Sequence, residues 1–165
     1  KIGIVKKQTR ILKKIPMIYA RNKKALHEYE ILKTFEAGIM LSGQEAKSIR
    51  SGGMKLLGAH VVFHKNTPQL LNAHIGKYAF AGNVPDYDPT RTRNLLLKQK
   101  EISYLRGKLE EKGLTITPLK VYTSGRRIKI EIALVKGKKL HDKRRSIKNR
   151  DAKRQKARIL KGDFS

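Results

Sequence analysis

The chain has 165 residues, with 39 Lys or Arg against 13 Asp or Glu, a formal charge of +26 and no cysteine. That length favours one domain with tails, the lack of thiols excludes disulfides and thiolate zinc sites and fits a reducing cytosol, and no apolar run approaches the roughly 18 residues of a membrane span. Self-repulsion of this size opposes compaction, and a polyanion such as nucleic acid relieves it.

Residues 1–21 carry seven basic groups and no acid. Their Ile and Leu are scattered among lysines, without the continuous apolar region of a secretory signal, so the segment reads as a disordered basic arm. "HEYEILKTF" (27–35) puts Tyr29, Ile31 and Phe35 on one parity, interrupted by Lys33, and reads as strand. Ser42 and Glu45 form a capping box for the helix "QEAKSIRSGG", which Gly52 and Gly53 stop. "LLGAHVVFH" and "QLLNAHIG" flank the turn-rich "KNTP", so residues 56–76 read as a hairpin. "FAGNVPDYDPTRTRN" (80–94) reads as a long loop, which compact domains usually keep for binding.

In "KQKEISYLRGKLEEKG", Ile102, Leu105 and Leu109 recur at helical spacing and Gly113 ends the run. "LTITPLKVY" and "RIKIEIALV" flank "TSGR" and read as a second hairpin, residues 114–135, in which Ile128, Ile130, Ile132 and Leu134 alternate. Pro118 belongs at an edge or a bulge, because it cannot donate to a ladder. The fold class expected is mostly β: a compact antiparallel β-barrel over residues 22–135, with two or three short helices and disordered basic termini.

Residues 136–165 carry 13 basic and 3 acidic groups. No continuous apolar stripe exists there to dock on a core. Like-charge pairs such as Lys139/Lys143 and Arg150/Arg154 each oppose helix by roughly 0.2–0.5 kcal/mol. No Pro and no internal Gly interrupt residues 138–161 before the closing glycine, and most residue types there are good helix formers. The tail is therefore helix-capable but repelled. Ordering costs roughly 1–2 kcal/mol per residue, so an extended anionic groove is needed to offset it.

Catalysis has no positive support. "GMKLLGAH" has Ala59-His60 where a phosphate-binding loop needs Lys-Ser or Lys-Thr. His60 and His64 share a strand face without a third ligand, and Glu110-Glu111 read as a solvated helix face. No metal, no cofactor and no enzymatic activity are expected. The basic groups say more. Arg91, Arg93, Lys98 and Lys100 surround an apolar centre in "DPTRTRNLLLKQK". Arginine forks bind phosphate bidentately and stack on bases. A small antiparallel barrel with basic loops is a common platform for single-stranded or looped RNA.

"NKKALHEYEI" (22–31), "TFEAGIMLSGQEAKSIRSG" (34–52), "LLNAHI" (70–75), "DPTRTRNLLLKQKEI" (88–102), "EKGLTITPLKVY" (111–122) and "VKGKKLHDKR" (135–144) together resemble the small protein B family. The likeness runs from about Asn22 to Arg158, in order and with natural spacing. The resemblance implies a barrel related to the oligonucleotide-binding fold. It also implies a cytoplasmic, monomeric RNA-binding adaptor of bacterial trans-translation, with no membrane partner. Such proteins hold the tRNA-like domain of transfer-messenger RNA and help deliver it to stalled ribosomes. The body lies near the small-subunit decoding region, and the tail becomes helical in the empty message channel.

By the same resemblance Asn22, Glu36 and Leu96 match positions associated with RNA binding; the basic Lys23, Lys24, Arg50, Arg91, Arg93 and Lys98 are counted with them as candidate RNA contacts on their charge. Glu36 either accepts from base or ribose donors or orients an arginine; Leu96, within "LLL", is either contact or core; Arg50 serves phosphate or solvates the surface. Lys136, Gly137, Lys138, Lys139, Asp142, Lys143 and Arg144 match the tail motif. His27 and His141 match positions near the decoding region, as base-stacking groups or plain surface histidines. "MKLLGAHVVFHKNTPQ" departs from the family pattern, with Gly58-Ala59-His60 where a Ser-Tyr pair is usual, and residues 1–21 are longer and more basic than the usual lead-in. The rival readings are a structural ribosomal protein, an RNA-processing enzyme and a DNA-compacting protein.

Overall fold

The computed structural model describes residues 16–82 and 86–138, together with Gln155 and Ile159, which are helical and exposed. In chain order the elements are β1 (Ile18–Arg21), α1 (Lys23–Glu28), β2 (Tyr29–Ile39), α2 (Gly43–Arg50), β3 (Met54–Lys55), β4 (His60–His64), β5 (Thr67–Leu71), β6 (His74–Ile75), β7 (Arg93–Leu96), α3 (Gln99–Leu109), β8 (Leu114–Ser124) and β9 (Arg127–Gly137). One antiparallel sheet of seven strands runs β1-β8-β4-β5-β7-β2-β9 and returns to β8 through the β8–β9 pairing. The closure is uneven. β4 meets β8 only at Val61↔Ile116, and β2 meets β7 only at Gly38↔Leu96 and Ile39↔Leu95, so the sheet is a ring with thin seams rather than a regular barrel.

The second hairpin forms the widest wall. Its alternating Ile130, Ile132 and Leu134 are buried with Ile116 and Val121. Pro118 sits where the β8–β9 register shifts, as its missing donor requires. In the first hairpin the turn is only Lys65-Asn66: Pro68 is already in β5 opposite Phe63. Lys65 takes a left-handed φ of 55°, which a tight hairpin turn demands. His74 and Ile75 do not extend that hairpin but pair with β3 in a separate ribbon.

Two expected boundaries move. The sheet begins at Ile18, because Arg21, Ala20 and Ile18 pair with β8; residues 18–21 thus belong to the sheet and not to an arm. Residues 1–15 and 139–165, apart from Gln155 and Ile159, lie outside the described residues. Helix α1 precedes β2 where strand was expected from His27. It buries only Ala25, so no apolar stripe announces it.

Helix α2 has the expected capping box: the Glu45 amide donates to Ser42 Oγ at 3.3 Å and the Ser42 amide donates to Glu45 Oε2 at 2.8 Å. It ends where Gly52 turns to φ 83°. A Cβ at Gly53 would lie 2.3 Å from Ser48 Oγ, so only glycine fits there. Glu45 is itself fully buried. Arg93 Nε donates to its Oε1 at 2.9 Å, and Arg91 donates to it through Nε at 2.8 Å and through a short bond from Nη2. Burial alone would raise this carboxyl, but the hydrogen bonds from Arg91 and the Ser42 amide, with the charge of Arg93, hold it below its ordinary value.

Removing one partner of a buried ion pair costs about 3–5 kcal/mol, so Glu45→Ala should remove a large share of the stability and lower the melting temperature steeply. The sign with pH follows from the depressed carboxyl. Its contribution is complete above the unfolded value and is lost as pH falls through the folded one. Melting curves from about pH 7 to about pH 3 should therefore fall in acid for the native chain and more shallowly for Glu45→Gln.

Candidate RNA-binding face

The outer face of β7, β2, β9, β8 and β1 carries two rows of side chains, because directly paired residues in antiparallel strands point the same way. One row runs Glu36, Glu131, Lys120, Arg21; its neighbour runs Leu96, Gly38, Lys129, Tyr122, Ile18. Two ion pairs tie acids to lysines within and between them. Lys129 Nζ lies 2.5 Å from Glu36 Oε1 and Lys120 Nζ lies 3.0 Å from Glu131 Oε2. The Tyr122 hydroxyl donates a short bond to Glu36 Oε2.

The Lys129 and Tyr122 bonds hold the Glu36 carboxyl below its ordinary range, so it is ionised at neutral pH. Burial first, and then the bond to Glu36, push the Tyr122 phenol upward, so it stays a donor. A carboxylate has about four acceptor sites. Lys129 and Tyr122 occupy two, and Glu36 is 46% exposed, which leaves acceptors facing solvent for amino, imino or hydroxyl donors. Of the two roles open to Glu36, accepting from ligand donors fits this geometry, because no arginine is bonded to it among the described residues.

Leu96 is resolved as a surface residue. Leu95 is 2% exposed and points into the core, while Leu96 is 60% exposed. Alternation along a strand makes adjacent leucines face opposite ways. Leu96 lies directly over Gly38, where a Cβ would stand 3.2 Å from its own. With Ile39, Ala46, Arg50 and Lys129 the pair lines a groove of about 430 Å³. Arg50 reaches it from α2 and donates to the Arg126 carbonyl at 3.2 Å. Apolar floor, cationic rim and a carboxylate on the neighbouring row make a surface suited to a ribose or base edge flanked by phosphates.

Three other expected contacts have polar atoms engaged, wholly or in part, within the fold. Arg93 is fully buried: besides Glu45, it donates to the Ala73, Arg91 and Pro89 carbonyls at 2.7, 2.9 and 2.9 Å. Its fork is filled, so it supports β7 instead of meeting phosphate. Arg91 is 41% exposed but gives Nε and Nη2 to Glu45. Asn22 is 7% exposed. It caps α1 by accepting from the Ala25 amide at 3.0 Å, and its Nδ2 donates to the Leu56 and Pro118 carbonyls at 3.2 Å each. It positions α1 against β8, and its polar atoms are spent on the fold.

Lys23 is exposed on α1, Lys24 pairs with Glu28 at 3.3 Å, and Lys98 is exposed where its amide donates to Glu101 Oε2 at the start of α3. His27 lies in the last turn of α1, beside the exit of the tail. Lys136 and Gly137 end β9 opposite Glu30 and Tyr29. Lys138 closes the corner, with its amide on the Glu28 carbonyl at 2.9 Å and Nζ on the Leu26 carbonyl at 3.2 Å. Lys139, His141, Asp142, Lys143 and Arg144 fall outside the described residues. The sequence reading missed Lys129, Lys120, Glu131 and Tyr122. The polar positions between Ile128, Ile130 and Ile132 were the signal for Lys129 and Glu131.

Leu96→Ala should leave the melting point nearly unchanged, within about 0.5 kcal/mol, whereas Leu95→Ala should cost roughly 2–5 kcal/mol. Gly38→Val should tilt Leu96 away and reduce RNA affinity as far as Leu96→Ala does. Thermal melts and RNA titrations on the same samples separate the two effects.

A family model described as "SmpB protein" matches residues 19–162. The SsrA-binding protein of Oleidesulfovibrio alaskensis is 49% identical over 87% of this chain and 92% of its own length. That of Microcystis aeruginosa is 47% identical over 87% and 94%. Among solved structures, a chain from "tmRNA-SmpB: a journey to the center of the bacterial ribosome" superposes with a TM-score of 0.61 and 43% identity, covering 73% of this chain and 84% of that one. The match takes in every described strand but the first residue of β1, together with the Glu36–Leu96 face and most of the tail, and the chain belongs to the SmpB family.

Proposed function

We propose that this chain is a non-enzymatic, cytoplasmic adaptor that binds the tRNA-like domain of transfer-messenger RNA and helps deliver it to stalled ribosomes for trans-translation. The observation that carries the reading is the joining of Glu36, Leu96, Arg50 and Lys129 on one face of a family member whose formal charge is +26. Glu36 and Leu96 contact the RNA, Arg50 and Lys129 neutralise phosphate beside them, and exposed Lys23, Lys24 and Lys98 add long-range attraction. Asn22, Arg91 and Arg93 act indirectly, through α1 and β7. No helix among the described residues is long and apolar enough to cross a membrane.

The body and the tail do different work. The tail leaves at the corner where Lys138 is bonded to α1, so its motif residues Lys136, Gly137, Lys138, Lys139, His141, Asp142, Lys143 and Arg144 start beside His27. With the body at the decoding region, the tail runs into the empty message channel, where rRNA phosphates remove its self-repulsion and it forms a helix. Gln155 and Ile159, four apart, already have helical conformation.

Truncation after Lys138 keeps every described β9 pairing, so the body should stay folded and still bind isolated transfer-messenger RNA, somewhat less tightly. Tagging of stalled ribosomes in a reconstituted translation assay should be abolished. Ile147→Pro should do similar damage without altering charge, since an interior proline costs a helix about 3 kcal/mol. RNA affinity of the full chain should fall by roughly 10³–10⁵ between low and moderate salt. Equal affinity for random duplex DNA would favour the DNA-compacting reading, and stoichiometric recovery with resting ribosomes the structural ribosomal one.

A further inference from the structure

Phe80 is 84% exposed, more than any other large apolar side chain among the described residues. It is not an isolated loop residue. The Tyr78 and Phe80 rings meet in a T-shaped pair, with centroids 5.6 Å apart and planes at 64°, and Lys47 Nζ lies 5.8 Å from the Tyr78 centroid. The Ala81 amide donates to the Tyr78 carbonyl at 3.0 Å, which closes a turn beneath the two rings. The base of the turn is tied to the end of α2: the Gly76 amide donates to the Gly53 carbonyl at 2.8 Å and Ser48 Oγ donates to the Gly76 carbonyl at 2.6 Å. The rings are thus held to one flank of an eight-residue helix whose other flank, through Ala46 and Arg50, borders the Leu96 groove.

Stacking on a ring requires an open π-face, a fixed ring and nearby cations, and all three are here. Phe80 offers the face, Tyr78 fixes it, and Lys47 and the exposed Lys77 supply charge. A protein partner would want a broad apolar surface, but the apolar run Tyr78–Ala81 is only four residues long, between Lys77 and Gly82. Bases within a duplex show their faces only to each other, so the ligand must be a base outside the helical stack. We propose that Tyr78 and Phe80 are a stacking platform for an unpaired base of the bound RNA, with Lys47 and Lys77 taking the adjoining phosphates. This rests on the RNA-binding reading above and extends its footprint across α2.

The chain has no tryptophan, so Phe80→Trp in the full-length protein installs a single fluorescent reporter at the site. Titration with the tRNA-like domain of transfer-messenger RNA should quench that emission, while heparin, which is anionic but has no bases, should not. Phe80→Ala should weaken RNA affinity by about 5- to 150-fold, the effect of removing one base–aromatic stack, and Phe80→Tyr should restore it. Because Phe80 is exposed, neither variant should shift the melting temperature. If the native chain binds this RNA but Phe80→Ala binds equally well and the reporter stays bright, the platform is wrong and the RNA reading stands. If Phe80→Ala binds RNA normally and fails only on ribosomes, the ring serves a ribosomal partner and the inference is overturned. A native chain that does not bind the RNA overturns both.

Discussion

The buried carboxylate of Glu45 joins parts of this chain that share no sequence neighbourhood. It caps the first turn of α2 and simultaneously receives Arg91 and Arg93 from the far side of a long loop. An ionised group in an apolar interior is tolerated only when its charge and lone pairs are met, and here they are met by one amide and two guanidinium groups. Arg93 in turn takes the carbonyls of Ala73, Arg91 and Pro89, so the loop is gathered around it. Two of the proposed binding features depend on that gathering. β7 is fixed with Leu95 inward and Leu96 outward, and α2 is fixed with Arg50 at the Leu96 groove and Lys47 at Tyr78.

The outer face meets a different constraint. On a chain of +26, a surface of lysines alone would repel itself and hold none of them in place. Glu36 and Glu131 are interleaved with Lys129 and Lys120 across three strands. Exposed pairs of this kind contribute little to stability. Their effect is to orient long cationic side chains and to leave a half-used carboxylate beside an apolar groove. Such a surface distinguishes donors and shape as well as charge, which a bare basic patch does not.

The tail lacks both devices. Its 13 basic residues face three acids, and nothing in it repeats as an apolar stripe. The body ends in a bonded corner at Lys138, with α1 and His27 alongside. The proposed RNA-binding face is thereby joined to a strongly basic segment that has no apolar stripe to dock on the body. Delivery of an RNA to a second, RNA-lined site needs both kinds of surface on one chain.

Composition and local pattern determined a great deal by themselves: the polyanionic partner, the second hairpin and the strand pair of the first, the capped helix at Ser42–Glu45 and the bulge at Pro118. These follow from residues close in sequence, where period-two alternation, capping and turn chemistry act. The tertiary structure alone decided the rest. "TRTRN" reads as a basic loop, and only a carboxylate 48 residues earlier turns Arg93 into a buried strut. Asn22 looks like a surface amide until the carbonyl of Pro118, 96 residues on, accepts a hydrogen bond from its Nδ2. Glu36 needs Tyr122 and Lys129, 86 and 93 residues away, to become an oriented acceptor. Leu95 and Leu96 are the same residue type side by side, and only the sheet assigns one to the core and the other to the surface. Polar side chains take their role from partners brought by the fold, and a linear pattern carries no record of which distant strand will lie alongside.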